Sequence, residues 1–163
     1  MSEKQTSMHM DPYERSWIII SVVLAVVFAI IIAVAGFAFG IQVPSPEQRV
    51  DPRTVASEDP WADPGLRELA PGKYEAYILA QVWTFLPREM SVPVGSEVTF
   101  YITSKDVQHG FKLQDTNLNV QVVPGQVSKL TITFDKPGEY HYICTEYCGA
   151  AHAAMFGTLH VEP

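Results

Sequence analysis

Gly138-Glu-Tyr-His-Tyr-Ile143-Cys144-Thr-Glu-Tyr-Cys148-Gly-Ala-Ala-His152-Ala-Ala-Met155-Phe156-Gly-Thr-Leu-His-Val161 reads as strand, loop, strand. The flanks are β-rich, and between them two thiols, an imidazole and a thioether fall at four-, four- and three-residue intervals. Gly149 and the strand-like flanks set this stretch apart from a helix face. Soft sulfur plus imidazole selects copper over magnesium, calcium or manganese, and zinc sites seldom use a thioether. A mononuclear blue copper site takes one thiolate, whereas two thiolates four residues apart can both bridge a pair of ions. Two cysteines in an oxidising compartment usually mean a disulfide, but a disulfide does not require His152 and Met155 at these intervals.

A second imidazole has to come from elsewhere in the chain. His109, in Ser104-Lys-Asp-Val-Gln-His109-Gly-Phe, lies where a strand meets a turn, as expected if two loops at one end of a β-sandwich converge on a metal. Other β-rich runs cover residues 74–85, 97–103, 110–114, 118–123 and 128–134. Val98, Phe100 and Ile102 alternate with Thr99, Tyr101 and Thr103, so one face is buried. Pro93-Val-Gly95, Pro124-Gly125 and Pro137-Gly138 punctuate the runs as turns. This pattern predicts a mainly β, Greek-key β-sandwich.

Upstream, Ile18 to Phe39 carries no charge and would be about 33 Å long as a helix, enough to cross a hydrocarbon core of about 30 Å. Arg15 and Trp17 precede it as interfacial anchors. A cleaved signal peptide fits less well. The apolar stretch exceeds the usual h-region, and Lys4 and Arg15 are offset by Glu3, Asp11 and Glu14. The Pro-rich stretch from Gln42 to Gly72 shows neither helical nor strand period and reads as a stiff connecting segment. The 163-residue chain thus divides into a tail over 1–16, a transmembrane helix over 17–40, a connecting segment over 41–72 and a β domain over 73–163. From residue 41 onward there are 9 Lys and Arg against 15 Asp and Glu, which argues against nucleic acid as a partner.

The Cys-x-Glu-x-Cys-x-x-x-His-x-x-Met loop, preceded by Val107-Gln-His109-Gly-Phe, closely resembles the CuA domain of cytochrome c oxidase subunit II. Val50-Asp-Pro, Pro60-Trp-Ala-Asp-Pro64, Asn117-Leu-Asn-Val120, Pro124-Gly-Gln and Lys136-Pro-Gly-Glu-Tyr140 resemble the B-type branch of haem-copper oxidases. The single hydrophobic segment fits that branch as well. The resemblance implies a cupredoxin-like sandwich holding a binuclear copper centre. Cys144 and Cys148 would be bridging thiolates and His109 and His152 one terminal ligand on each copper. Met155 would be a weak axial ligand on one copper and the Glu146 backbone carbonyl a ligand on the other. Phe111, Tyr147 and Phe156 are expected to keep water from the centre.

The same resemblance implies a cytochrome c as electron donor, haem in subunit I as acceptor, and reduction of oxygen to water in that partner. It puts the copper domain outside the cell membrane and the N-terminus in the cytoplasm. Trp83 and Phe85 match aromatic residues near the surface through which electrons enter. Glu14 matches an acidic position near a proton-uptake entrance, although an interfacial carboxylate reads the same. In many A-type relatives the carboxylate at the Glu146 position also binds magnesium at the boundary with the large subunit, a role open here too. His9, His141 and His160 match no ligand position. Two other readings use the same ligand types: the CuA electron-transfer subunit of a nitric oxide reductase, and a membrane-anchored copper-handling protein.

Overall fold

The structure is a computed structural model that describes residues 10–39 and 46–163; His9 and most of the N-terminal tail lie outside the described residues. The chain forms two units, residues 1–41 and 42–163.

The first unit is a helix, α1 (Pro12–Phe39). Its start is set by local chemistry. Asp11 Oδ1 accepts the Tyr13 backbone N–H at 2.8 Å, and Pro12 takes the first helical position, where a missing N–H costs nothing. Glu14 adds negative charge in the first turn, where the helix dipole favours it. The helix therefore begins before the apolar stretch, and residues 12–16 are helical rather than tail. None of its side chains is buried, and it is the one helix among the described residues long and apolar enough to cross a membrane.

The second unit is two packed sheets. Its strands are β1 (Pro46–Arg49), β2 (Gly65–Ala70), β3 (Lys73–Gln81), β4 (Thr84–Leu86), β5 (Glu89–Pro93), β6 (Glu97–Ser104), β7 (His109–Leu113), β8 (Asn119–Val122), β9 (Gln126–Thr133), β10 (Gly138–Ile143) and β11 (Phe156–Glu162). One sheet runs β1-β9-β6-β3-β2, with β4 also on β3; the other runs β5-β11-β10-β7-β8. The predicted run over 74–85 is divided by a tight turn at Val82 and Trp83, and β5, unforeseen, lies parallel to β11. Between the sheets sit Phe85, Phe100, Phe111, Phe134 and Tyr142, and Cys144, Cys148 and Met155 belong to the same cluster. The sandwich is cupredoxin-like, as the resemblance implies.

Residues 46–70 correct the expectation of a connecting segment over 41–72. β1 pairs with β9 and β2 with β3, so this stretch completes the first sheet. Between them the chain crosses that sheet's outer face, where Val55 and Trp61 pack on Leu79 and Val127. Trp61 meets Tyr77 edge-on at 5.9 Å, and Tyr77 stacks on Tyr101 at 5.0 Å. Trp61 is thus a packing residue, 3% exposed. The prolines stiffen a strap fastened by a few apolar anchors, a pattern with no period to detect.

Candidate metal centre

The loop from Cys144 to Met155 joins β10 to β11, which are paired along their whole length and closed at the loop by Ile143 opposite Phe156. The Cys144 N–H bonds to the Met155 carbonyl at 3.1 Å, so the first and last donor residues are held together. β7 lies beside β10 and brings His109 to the same end. Gly110 makes the close approach possible. A Cβ there would strike Thr145 Oγ1 and come within 2.9 Å of the Glu146 backbone nitrogen.

The donor atoms form a continuous chain. His109 Nδ1 is 3.8 Å from Cys144 Sγ, which is 3.8 Å from Cys148 Sγ. Cys148 Sγ is in turn 3.7 Å from both His152 Nδ1 and Met155 Sδ. The Cys144 thiol also points at the Glu146 carbonyl, 3.2 Å away. The sulfurs are far outside a disulfide bond of about 2.05 Å, and both cysteines are free. Two thiolates on one tetrahedral ion at about 2.3 Å would stand about 3.8 Å apart, so the pair fits shared metal ligation. His109, Cys144 and Cys148 offer ligand atoms all within 4.8 Å of one another. Two sulfur-centred groups, one ending in each imidazole, suit soft metal ions.

Sequence reasoning missed Asp106. His109 is fully buried, and its Nε2–H donates to Asp106 Oδ1 at 2.9 Å, which leaves the Nδ1 lone pair facing Cys144. Asp106 is itself fixed by the Val82 and Val107 backbone N–H groups, each at 2.7 Å. Burial alone would raise its carboxyl, but these hydrogen bonds from His109, Val82 and Val107 hold it below the usual carboxylate value. The detectable signal was an aspartate three residues before the histidine in a turn. Burial and the neighbouring Cys144 thiol push the Cys148 thiol up to about 11, so any metal must displace its proton.

Several expected surroundings differ. Phe111 is buried as anticipated, but Tyr147 is 81% and Phe156 47% exposed, because the loop turns Tyr147 outward and Phe156 sits on the outward-facing alternation of β11. Tyr147 sits beside the His152 ring, and Phe156 lies under the Arg88 guanidinium. They line the surface of the site rather than seal it. Phe85 is fully buried and meets Phe111 and Tyr142 edge-on, since β4 turns it into the core; it presents no surface to a donor. Trp83, in the turn before β4, is 42% exposed, and its indole N–H donates to the Cys148 carbonyl at 3.1 Å. Of the histidines set aside, His160 faces Glu139 at 3.6 Å. His141 bonds Thr158 and lines an open cavity of about 310 Å³ together with Cys144, His152, Met155 and Phe156.

These features define a mainly β domain of the cupredoxin type, with a soft-donor metal site where its loops converge. A family model described as the periplasmic domain of cytochrome c oxidase subunit II matches residues 78–161. A cytochrome c oxidase subunit 2 from Thermus thermophilus is 44% identical over 154 residues, 92% of each chain. A chain of a heme-copper terminal oxidase dimer solved by cryo-EM superposes with a TM-score of 0.75 at 35% identity, covering 92% of this chain and 99% of that one. The periplasmic domain of subunit II from Bradyrhizobium japonicum, at 23% identity and a TM-score of 0.50, shares the fold over 53% of this chain. The chain belongs to the cytochrome c oxidase subunit II family and is a subunit of an oxidoreductase complex.

Proposed function

We propose that this chain takes electrons from a c-type cytochrome at a binuclear copper site and passes them to haem in subunit I, where oxygen is reduced to water. The observation that carries this reading is the unbroken run of donor atoms from His109 through Cys144 and Cys148 to His152, with each step 3.7 or 3.8 Å. Cys144 and Cys148 would bridge two copper ions, with His109 and His152 terminal on one each. Met155 Sδ and the Glu146 carbonyl, already aimed at these sulfurs, would complete the two coordination spheres. When bound, such a pair supplies a one-electron store whose charge change is spread over two nuclei.

The residues of the chain do the rest. β11, β10 and β7, neighbours in one sheet, hold the ligands at its end, and Asp106 fixes the His109 ring, so little has to rearrange when charge changes. Burial of Cys144, Cys148 and Met155 limits the water that reaches the sulfurs to the open cavity beside them. Around the loops, Val82, Trp83, Val107 and Tyr147 are each exposed and would give a donor apolar surface. Trp83 is the aromatic of that surface in contact with the ligand loop. α1 would anchor the domain on the outer side of the cell membrane with the N-terminus in the cytoplasm. Its first-turn Glu14 is assigned to the proton-uptake entrance, and the Glu146 carboxylate to a magnesium ion at the subunit I boundary.

The test is stopped-flow mixing of the copper-loaded full chain in detergent with a reduced c-type cytochrome. One electron per chain should leave the cytochrome, and His152→Ala should abolish the transfer. A loaded chain that takes no electron but surrenders copper readily to a chelator would point instead to copper handling.

A further inference from the structure

Trp83 does more in this structure than present an aromatic face. Its indole N–H reaches across the chain to the Cys148 carbonyl at 3.1 Å, a bond between residues 65 apart in sequence. The next residue is shaped for that contact. Gly149 has a φ of +120°, and a Cβ there would stand 2.9 Å from Trp83 Nε1 and 3.4 Å from two further indole carbons. A side chain at 149 would therefore lift the indole off the loop. The Gly149 carbonyl accepts the His152 N–H at 3.1 Å, so the peptides on either side of Gly149 are each tied down.

We infer that Trp83 is a positioning residue for the metal site, acting through the Cys148 carbonyl to fix the sulfur that three other donors share. Cys148 Sγ is the one atom within 3.8 Å of Cys144 Sγ, His152 Nδ1 and Met155 Sδ together. Holding the Cys148 carbonyl limits rotation of its backbone, and with it the direction of the Cα–Cβ bond that carries this sulfur. The N–H dipole also directs its positive end toward the cluster. It favours the state with one more electron, so losing it should lower the reduction potential. Because Trp83 is 42% exposed among apolar neighbours, whatever docks there touches a group that sets the site behind it.

This inference rests on the binuclear copper reading, and one experiment separates the two. The full chain in detergent is loaded with copper as native protein, Trp83→Phe and Trp83→Leu. Both variants lose the N–H donor, but only Leu loses the aromatic ring. Both should show a shifted copper spectrum, a lower potential and copper release to a chelator about fivefold faster, the effect of one net hydrogen bond. Transfer from reduced cytochrome should slow further only in Trp83→Leu. Gly149→Ala, which also strains the backbone at its φ of +120°, should change spectrum, potential and release at least as much as Trp83→Phe, and adding Trp83→Phe to it should change little further. A Trp83→Phe protein with native spectrum, potential and release rate, slowed only in electron transfer, would overturn the positioning role and leave the copper reading intact. Failure of the native chain to take up two coppers would overturn both.

Discussion

Irregular chain covers the sandwich in two places, and the two coverings are held by opposite means. The strap around Val55 and Trp61 lies on the outer face of the first sheet and is fastened by apolar and aromatic contacts, with the Trp61 indole N–H buried unpaired. The ligand loop from Cys144 to Met155 turns its sulfurs inward, where they meet one another and the core, with the half-buried His152 ring beside Cys148. The strap is held by packing, whereas the loop gathers donors suited to a soft metal ion.

The largest consequence falls on the loop. Cys148→Ser should abolish binding of the copper pair outright, seen as loss of colour and of the second copper by metal analysis, while circular dichroism of the sandwich stays native. A variant that still held two coppers would remove the contrast between the two regions. Trp61→Ala should do the reverse. It should cost about 3–5 kcal/mol of stability in chemical unfolding, as for a buried aromatic truncated to Ala, and leave the copper spectrum unchanged.

Asp106→Asn sharpens the comparison from the metal side. The weaker acceptor frees the His109 ring, and copper affinity should fall by about 10- to 100-fold in chelator competition, with apo stability little altered.

The smallest effect belongs to the sheet face under the strap. Burial and the Glu75 carboxylate, which accepts the Tyr77 hydroxyl at 2.8 Å, push that phenol up to about 12. A folded pKa above the unfolded value near 10 gives stability that is present below pH 10 and lost as pH rises toward 12. Tyr77→Phe should therefore flatten the decline of stability between pH 10 and 12, measured by urea unfolding at stepped pH. An unchanged slope would count against this packing.

The same contrast explains what the sequence made legible. The loop could be read because its chemistry needs particular side chains at fixed intervals, and because the alternating runs beside it announce strands. His109 was found by the demand for a second imidazole. Asp106 was not, since an aspartate in a turn is ordinary until its hydrogen bond to a buried ring is seen. The strap reads as a linker in sequence because isolated anchors such as Val55 and Trp61 gain meaning only from Leu79 and Val127, distant in sequence. Phe85 and Trp83 looked equivalent as aromatics two residues apart, yet a tight turn sends one inward and leaves the other at the surface. Tyr147 and Phe156 face outward for a like reason: the direction of a loop residue and the face a strand's first residue takes are tertiary properties.

The most direct test of the central claim is copper analysis combined with electron paramagnetic resonance of the loaded full chain. Two coppers per chain and one unpaired electron spread equally over both nuclei is the predicted result. One copper per chain with a mononuclear signal would contradict it.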